Sequence, residues 1–523
     1  MSKQRVIDKE RKRGDYALFT NKLAWVIFLV LLQLGFLIYA YLKFREHYIG
    51  IQAFMSFVSI IVVIYIINRP INPAYKLAWC ITILFIPVFG GLFYLILSVN
   101  NTRRKFRKSI REAVTESKKH LHQDDKVMSH VEALSRHAAP QIRYINSFAG
   151  YPVHENTEVS YFASGEEMFI AMLDELEKAE KYIFLEYFII HDGIFWNSVL
   201  NILKEKARNG VEVKLIYDDM GCIRTLPSDY PEQLRDFGIE CHCFNPFKPT
   251  LSLRLNNRDH RKIMVIDGVT SFTGGINLAD EYINKRKRLG GYWKDSGIML
   301  KGDATWNFTV MFLQFWQHLS GEPVDYEKYR ITDYGNITIK EDGFVQPYAD
   351  NPLFDEVVAE NVYLNMIHRA TRYVYITTPY LIVDNEMITA LTLAAQSGVD
   401  VRIITPRIPD KKAVFMVTRS FYEPLTKAGV KIYEYVPGFI HCKMMVADDR
   451  YAVVGSINLD YRSLYHHFEN GCLYYDCKAV SDTKKDFENI LNECREVTEV
   501  YRTGRSRFLR IWQLILRLIA PLL

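Results

Sequence analysis

Two regimes of hydrophobic patterning divide the chain. Toward the N-terminus the apolar positions are continuous: Leu23–Leu42, Ile51–Ile67 and Leu77–Val99 hold no charged residue, and each is about the length a helix needs to cross a bilayer. Trp25, Tyr39, Tyr41, Trp79 and Tyr94 lie toward the ends of these stretches, where amphipathic rings favour the membrane interface. Basic clusters flank the region on both sides, Lys3 to Lys22 before it and Arg103 to Arg111 after it. Both clusters favour the cytoplasm, whereas three full spans separate them. Pro87 and Gly90-Gly91 interrupt the third stretch, so a kinked or re-entrant passage is an alternative there, and the pattern predicts two or three spans with a cytoplasmic body.

From about residue 155 the pattern changes to alternating helical and strand periods, which predicts an α/β fold. Glu167–Glu180 reads as a helix, Tyr182–Ile190 as a strand apolar except for Glu186, residues 210–216 as a strand, and Gly238-Ile239 as the start of another. The order then repeats: Asn361–Ala370, Tyr373–Thr377, residues 398–404 and Gly429–Ile432. Equivalent positions are 188 residues apart for Gly210 and Gly398, 191 for Gly238 and Gly429, and 181 for His260 and His441. The drop places a ten-residue insert near Phe247–Arg258, where it is positioned to roof a site. At the C-terminus, Arg510, Gln513 and Arg517 share one helical face of Phe508–Leu523, with Trp512, Ile515 and Ile519 opposite. That tail suits a helix lying on a membrane surface, with packing against the catalytic body as the alternative.

These patterns predict an anchor (1–111), a linker (112–150), a first domain (151–325), a second linker (326–345), a second domain (346–480) and C-terminal helices (481–523). The formal charge of +5 divides unevenly between them: residues 1–111 carry +13 and the remainder −8. An acidic body argues against nucleic acid as partner, and positive charge beside apolar segments favours anionic lipid headgroups. The eight cysteines form no paired framework, which points to reduced thiols.

The chemistry lies in a doubled motif. His260-x-Lys262-x4-Asp267 precedes Gly274-Gly275-Ile276-Asn277, and His441-x-Lys443-x4-Asp448 precedes Gly455-Ser456-Ile457-Asn458, with six residues between Asp and Gly in both copies. On a strand, i and i+2 share a face, so each His and Lys point together. Asp267 and Asp448, seven residues beyond their histidines, point the other way and read as structural ties for the following turn. The glycines allow tight turns that return Asn277 and Asn458 toward the lysines. One copy lacks either a nucleophile or a proton donor. Both halves must therefore face each other, placing two His, two Lys and two Asn around one phosphodiester.

The doubled pattern resembles the phospholipase D superfamily. Its wording is similar to bacterial cardiolipin synthases in His260-Arg261-Lys262, Asp280-Glu281-Tyr282, Tyr292-Trp293-Lys294-Asp295, Asn458-Leu459-Asp460-Tyr461-Arg462-Ser463 and the terminal Ala520-Pro521-Leu522-Leu523. Gly275 stands where the superfamily usually has Ser. The resemblance implies two phospholipase D-like α/β/α domains related by a pseudo-twofold and preceded by a membrane-helix region. It implies a multi-pass membrane protein with phosphatidylglycerol as substrate, no cofactor and no metal; the oligomeric state is open. It also implies exchange through a phosphohistidine, with His260 as nucleophile and His441 as acid, an order that rests on the resemblance alone. A carboxylate after each motif points to Asp295 in the half of His260 and Glu469 in the half of His441, each fixing a tautomer. Alternatives that share the same residues are a phosphatidylserine synthase, a hydrolytic phospholipase D, a tethered nuclease or an inactive scaffold.

Overall fold

A computed structural model describes residues 48–69, 72–85, 101–135, 138–246, 257–331, 333–335, 337–340, 343–503 and 516–517, with a few single positions before residue 101. The chain divides into two compact units, one of Met1–Lys105 with Pro246–Leu255, the other of Phe106–Asn245 with Asn256–Pro521.

In the first unit, helices Tyr48–Ile67 and Pro73–Phe85 pack through Val62, Ile66 and Ile83, with Tyr94 edge-on to Trp79 at 5.1 Å. Phe54, Phe57, Ile60, Ile64, Leu77 and Leu84 remain exposed by more than half. No helix among the described residues is long and apolar enough to cross a membrane. Most of Leu23–Leu42, the insert up to residue 256, and the C-terminal tail apart from Leu516 and Arg517 lie outside the described residues. Leu516 is buried, and the Arg517 guanidinium sits 4.5 Å from the centre of the Phe421 ring.

Among the described residues the second unit holds two large sheets and two short two-stranded ones. Strands β1 (Thr157–Phe162), β2 (Tyr182–Tyr187), β3 (Glu212–Asp218), β4 (Ile239–Phe244), β5 (Lys262–Ile266), β6 (Thr270–Gly274), β7 (Tyr292–Lys294) and β8 (Gly297–Gly302) come from the first half. The second half supplies β9 (Phe344–Asp350), β10 (Tyr373–Thr377), β11 (Leu381–Ile382), β12 (Asp400–Pro406), β13 (Lys431–Tyr435), β14 (Gly438–Ile440), β15 (Met444–Ala447), β16 (Tyr451–Gly455), β17 (Leu459–Asp460), β18 (Glu469–Tyr475) and β19 (Cys494–Glu496). One sheet runs β1-β8-β6-β5-β2-β3-β4 and the other β9-β18-β16-β15-β10-β12-β13-β19. Apart from the added β19, the orders are the same, strand for equivalent strand. In each sheet the central strand that begins the parallel run, β2 or β10, is buried at every position, which is why it reads as a near-continuous apolar run rather than an alternating one.

The polar exception in β2, Glu186, is fully buried and answered by Arg261 Nη2 at 2.5 Å. Strand β2 stops at Tyr187, short of the predicted Ile190, because the next amides leave the sheet: Ile189 N donates to Asn277 Oδ1 at 3.0 Å. Helix Gly165–Leu176 starts where Ser164 Oγ accepts from Glu167 N at 3.2 Å, a side-chain cap for an otherwise orphaned amide. Helix Thr305–Ser320 is buried at every position through Trp316, including Thr305, Asn307, Thr309 and Gln314, and belongs to the core. It lies on β2, β5 and β6 and reaches the edge strand β9 of the other sheet; helix Lys478–Asn492 lies on β15 and β10 and reaches β1. The halves thereby interlock reciprocally. All eight cysteines are free thiols.

Candidate active site

Each motif histidine hangs from a strand of the opposite half. Asp259, one residue before His260, bridges Phe468, and His260 N donates to Phe468 O at 2.9 Å. In the mirror arrangement β14, just before His441, runs parallel to β7, and His441 N donates to Lys294 O at 2.7 Å. The residues that follow these acceptors are the carboxylates. His260 Nδ1 therefore lies 2.9 Å from Glu469 Oε1 and 3.0 Å from Oε2, and His441 Nδ1 lies 2.6 Å from Asp295 Oδ2. The expected carboxylates are both present, but the pairing crosses between halves: Asp295 serves His441, and Glu469 serves His260. The reason is the pair of backbone links, which carry each carboxylate past its own motif.

Burial dominates the electrostatics. It lowers His260 to about 3, against the opposing charge of Glu469, and lowers His441 to about 4, with the charge of Lys443 adding to burial. Burial alone raises Glu469, but His260 and His467 outweigh it and hold the carboxyl well below its usual range; His441 and Lys443 do the same for Asp295. Near neutral pH both imidazoles are neutral beside ionised carboxylates. A carboxylate only accepts, so it holds the ring proton on Nδ1 and leaves the Nε2 lone pair free. Burial also lowers Lys262 to about 7 and Lys443 to about 8. Both ammonium groups fold back on their own motif: Lys262 Nζ donates to His260 O at 2.5 Å, and Lys443 Nζ to His441 O. Lys443 Nζ also sits 2.9 Å from His441 Nδ1, a contact with no counterpart at His260.

Asp267 and Asp448 go elsewhere. Asp267 accepts from the amides of Glu180, Lys181 and Tyr182, each at 2.7 Å, and Asp448 from Thr371, Arg372 and Tyr373 at 2.7 to 2.9 Å. Both adopt left-handed backbone, φ 52° and 55°, in the hairpins after β5 and β15, a conformation Asp tolerates better than most side chains. The asparagines differ from each other. Asn277 is spent on Ile189 N and, through Nδ2, on Tyr282 OH at 2.7 Å, whereas Asn458 Oδ1 is buried with no hydrogen-bond partner among the described residues. Neither asparagine hydrogen-bonds a motif lysine among the described residues, so the returning turn falls short of the predicted contact.

Further residues complete the site; Ser456, Gly275, Tyr282 and Trp293 lie in the motif stretches, whereas Asn470, Phe188 and His467 carry no sequence signal of their own. Ser456 Oγ donates to Glu469 Oε2, while at the equivalent Gly275 an added Cβ would stand 2.1 Å from Asp295 Oδ1. Asn470 bridges the halves by donating to Thr273 Oγ1 at 2.6 Å. Tyr282 and Trp293 each lie 5.5 Å from the His441 ring, and Phe188 lies 5.0 Å from the His260 ring. His467 takes the place beside His260 that Trp293 takes beside His441, at 5.6 Å. Two neutral imidazoles and two lysines, with Lys443 acting on Lys262 and Lys262 on His441 across the halves, can attack a phosphodiester, protonate its leaving oxygen and stabilise the added negative charge.

Comparison with known proteins agrees with this geometry. Residues 172–303 and 363–491 match the family described as "Cardiolipin synthase, PLD-like domain", and residues 57–98 match "Phospholipase D-nuclease N-terminal". A "Cardiolipin synthase" of Geobacillus sp. (strain WCH70) is 36% identical over 478 residues, 90% of this chain and 92% of that protein. The chain belongs to the cardiolipin synthase family of phospholipase D-like proteins. An "Uncharacterized protein" of Streptococcus mutans is 42% identical over 461 residues, 88% of this chain and 99% of that one. The crystal structure of phosphatidylserine synthase from Haemophilus influenzae Rd KW20 shares the fold, with a TM-score of 0.53 at 16% identity over 70% of this chain and 95% of that one.

Proposed function

We propose that this family member makes cardiolipin by transferring a phosphatidyl group between two phosphatidylglycerol molecules. The observation that carries the reading is the crossed pair of buried histidine–carboxylate contacts, His260 with Glu469 and His441 with Asp295. His260 Nε2 attacks phosphorus, the bond to the glycerol oxygen breaks, and His441 gives its Nε2 proton to that oxygen. The bound phosphodiester anion raises the proton affinity of His441 above its value in the free protein, which is how an imidazole lowered by burial enters the step charged. Glu469 stabilises the cationic phosphohistidine. Neutral His441 then takes the proton from a hydroxyl of the second phosphatidylglycerol, whose oxygen attacks phosphorus and frees His260. Lys262, Lys443 and Asn458 face the developing charge.

The same reading places the enzyme at a membrane. Helices Tyr48–Ile67 and Pro73–Phe85 with their exposed apolar side chains, preceded and followed by basic clusters, support a bilayer anchor in residues 1–111 and a cytoplasmic body. Within the body we assign residues 151–325 and 346–480 to the two catalytic domains.

The test is exchange in membranes. Labelled phosphatidylglycerol should yield cardiolipin and glycerol in equal amounts, and free phosphatidic acid or serine-dependent product would overturn the assignment. Acid-labile trapping of the phosphatidyl label on protein, as a P–N bond requires, should be lost in His260→Ala; loss in His441→Ala alone reverses the two roles.

A further inference from the structure

We propose that His260, His467 and Glu469 form a binding site for a divalent transition-metal ion, zinc being the best fit, and that the ion switches the enzyme off. The switch rests on the reading that His260 does the chemistry.

Three observations carry the site. One nitrogen from each imidazole and one oxygen of Glu469 all lie within 4.8 Å of one another. Glu469 Oε1 is 2.9 Å from His260 Nδ1 and 3.8 Å from His467 Nδ1. Ligand atoms held about 2.0–2.1 Å from a tetrahedral ion stand about 3.3–3.4 Å apart, between those two distances. Second, both ring nitrogens of His467 are buried with no hydrogen-bond partner among the described residues. A buried imidazole left wholly unsatisfied costs about 1–3 kcal/mol per group and calls for a reason. Third, packing alone does not require an imidazole there. Trp293, two residues before Asp295 as His467 is two before Glu469, fills the equivalent place beside His441 with no ligand atom.

The donor set selects the ion. Two imidazoles and one carboxylate with an open fourth position suit zinc and its borderline neighbours, whereas magnesium and calcium favour oxygen ligands. Ser456 Oγ engages Glu469 Oε2, which leaves Oε1 facing the two histidines. Coordination at His260 Nδ1 needs the lone pair there, so the ring proton moves to Nε2. No lone pair is then left for phosphorus.

The experiment uses the full chain in detergent micelles with phosphatidylglycerol. Cobalt(II) should bind one to one with visible d–d absorption, zinc should displace it and abolish exchange, magnesium should do neither, and chelator should restore the rate. In His467→Gln the cobalt band should vanish and half-inhibition by zinc, measured against that variant's own metal-free rate, should need at least about tenfold more ion, because loss of even an outer partner costs about 10–100-fold in metal affinity. The exposed His130→Gln should behave as wild type. An unchanged band or unchanged half-inhibition in a folded His467→Gln protein overturns the site. A His467-dependent band with undiminished exchange overturns the switch and the assignment of His260 to the chemistry, whereas an inactive His260→Ala beside a wild type that binds no cobalt overturns the metal site alone.

Discussion

Glu469 holds His260 from 209 residues away, with His260 Nδ1 at 2.9 Å from Oε1 and the carboxylate wholly buried. The contact fixes the tautomer of a group whose neutral form is the attacking one. In Glu469→Gln the shape is kept while the charge that stabilises the phosphohistidine is removed. We expect kcat to fall by about a hundredfold to ten-thousandfold with KM little changed, in line with removal of the carboxylate from a histidine triad. A loss under about tenfold in steady-state exchange assays contradicts the role given to the pair.

Lys262 is held at a cost to the fold. Its folded value is lowered to about 7 by burial, against an unfolded value near 10.4. The unfolded chain then binds more protons between those limits, so the cost is fully present below about pH 7 and fades as pH rises toward about 10. Lys262→Met should abolish exchange yet melt higher than wild type at pH 6, with the difference closing at pH 10. The checking measurement is thermal melting of both proteins across that range, and a variant that melts lower at pH 6 sinks the argument.

Much of this arrangement was legible in the sequence, and the limits are physical. The doubled motif with matching glycine positions announced two equivalent α/β halves, and the i, i+2 spacing put His260 beside Lys262 because strand geometry is local. What crossed between halves was not local. Short pairings such as β7 with β14 have no periodicity to betray them, so the exchange of Asp295 and Glu469 between histidines could not be read. His467 left no pattern either, since one His beside another in His466-His467 looks like a polar loop. Its only trace is its offset of two from Glu469, matched by Trp293 and Asp295.

The two glycine-motif positions should respond unequally. A Cβ at Gly275 meets Asp295 Oδ1 at 2.1 Å and Cγ at 2.8 Å, and Asp295 is pinned between His441 Nδ1 and Ser296 N. Gly275→Ala therefore drives the carboxylate off His441 and should cost at least about a hundredfold in kcat, as loss of a tautomer-fixing carboxylate does. Ser456→Gly removes an acceptor from Asn470 N and one hydroxyl donor from Glu469, the latter worth about 1.5–3 kcal/mol for a charged acceptor, or roughly ten- to a hundredfold. If side-by-side kinetics show Ser456→Gly to be the worse variant, the steric reading of Gly275 is wrong.

Asp448 tests the division between structure and chemistry. Its carboxylate accepts three backbone amides and the Thr371 hydroxyl at the start of β10, and those bonds hold it below the usual carboxylate range. A depressed carboxylate contributes stability above its unfolded value near 3.9, which is lost as pH falls through the folded value. Asn tolerates the left-handed backbone at this position, φ 55°, so Asp448→Asn isolates the hydrogen bonds from strain. The variant should lose about 1–3 kcal/mol of stability at pH 7, with the deficit shrinking in acid, where wild-type Asp448 is itself protonated. The folded fraction should keep kcat within about threefold of wild type, since Asp448 touches no motif His or Lys among the described residues. A large fall in kcat at unchanged melting temperature would move Asp448 from the scaffold into the reaction.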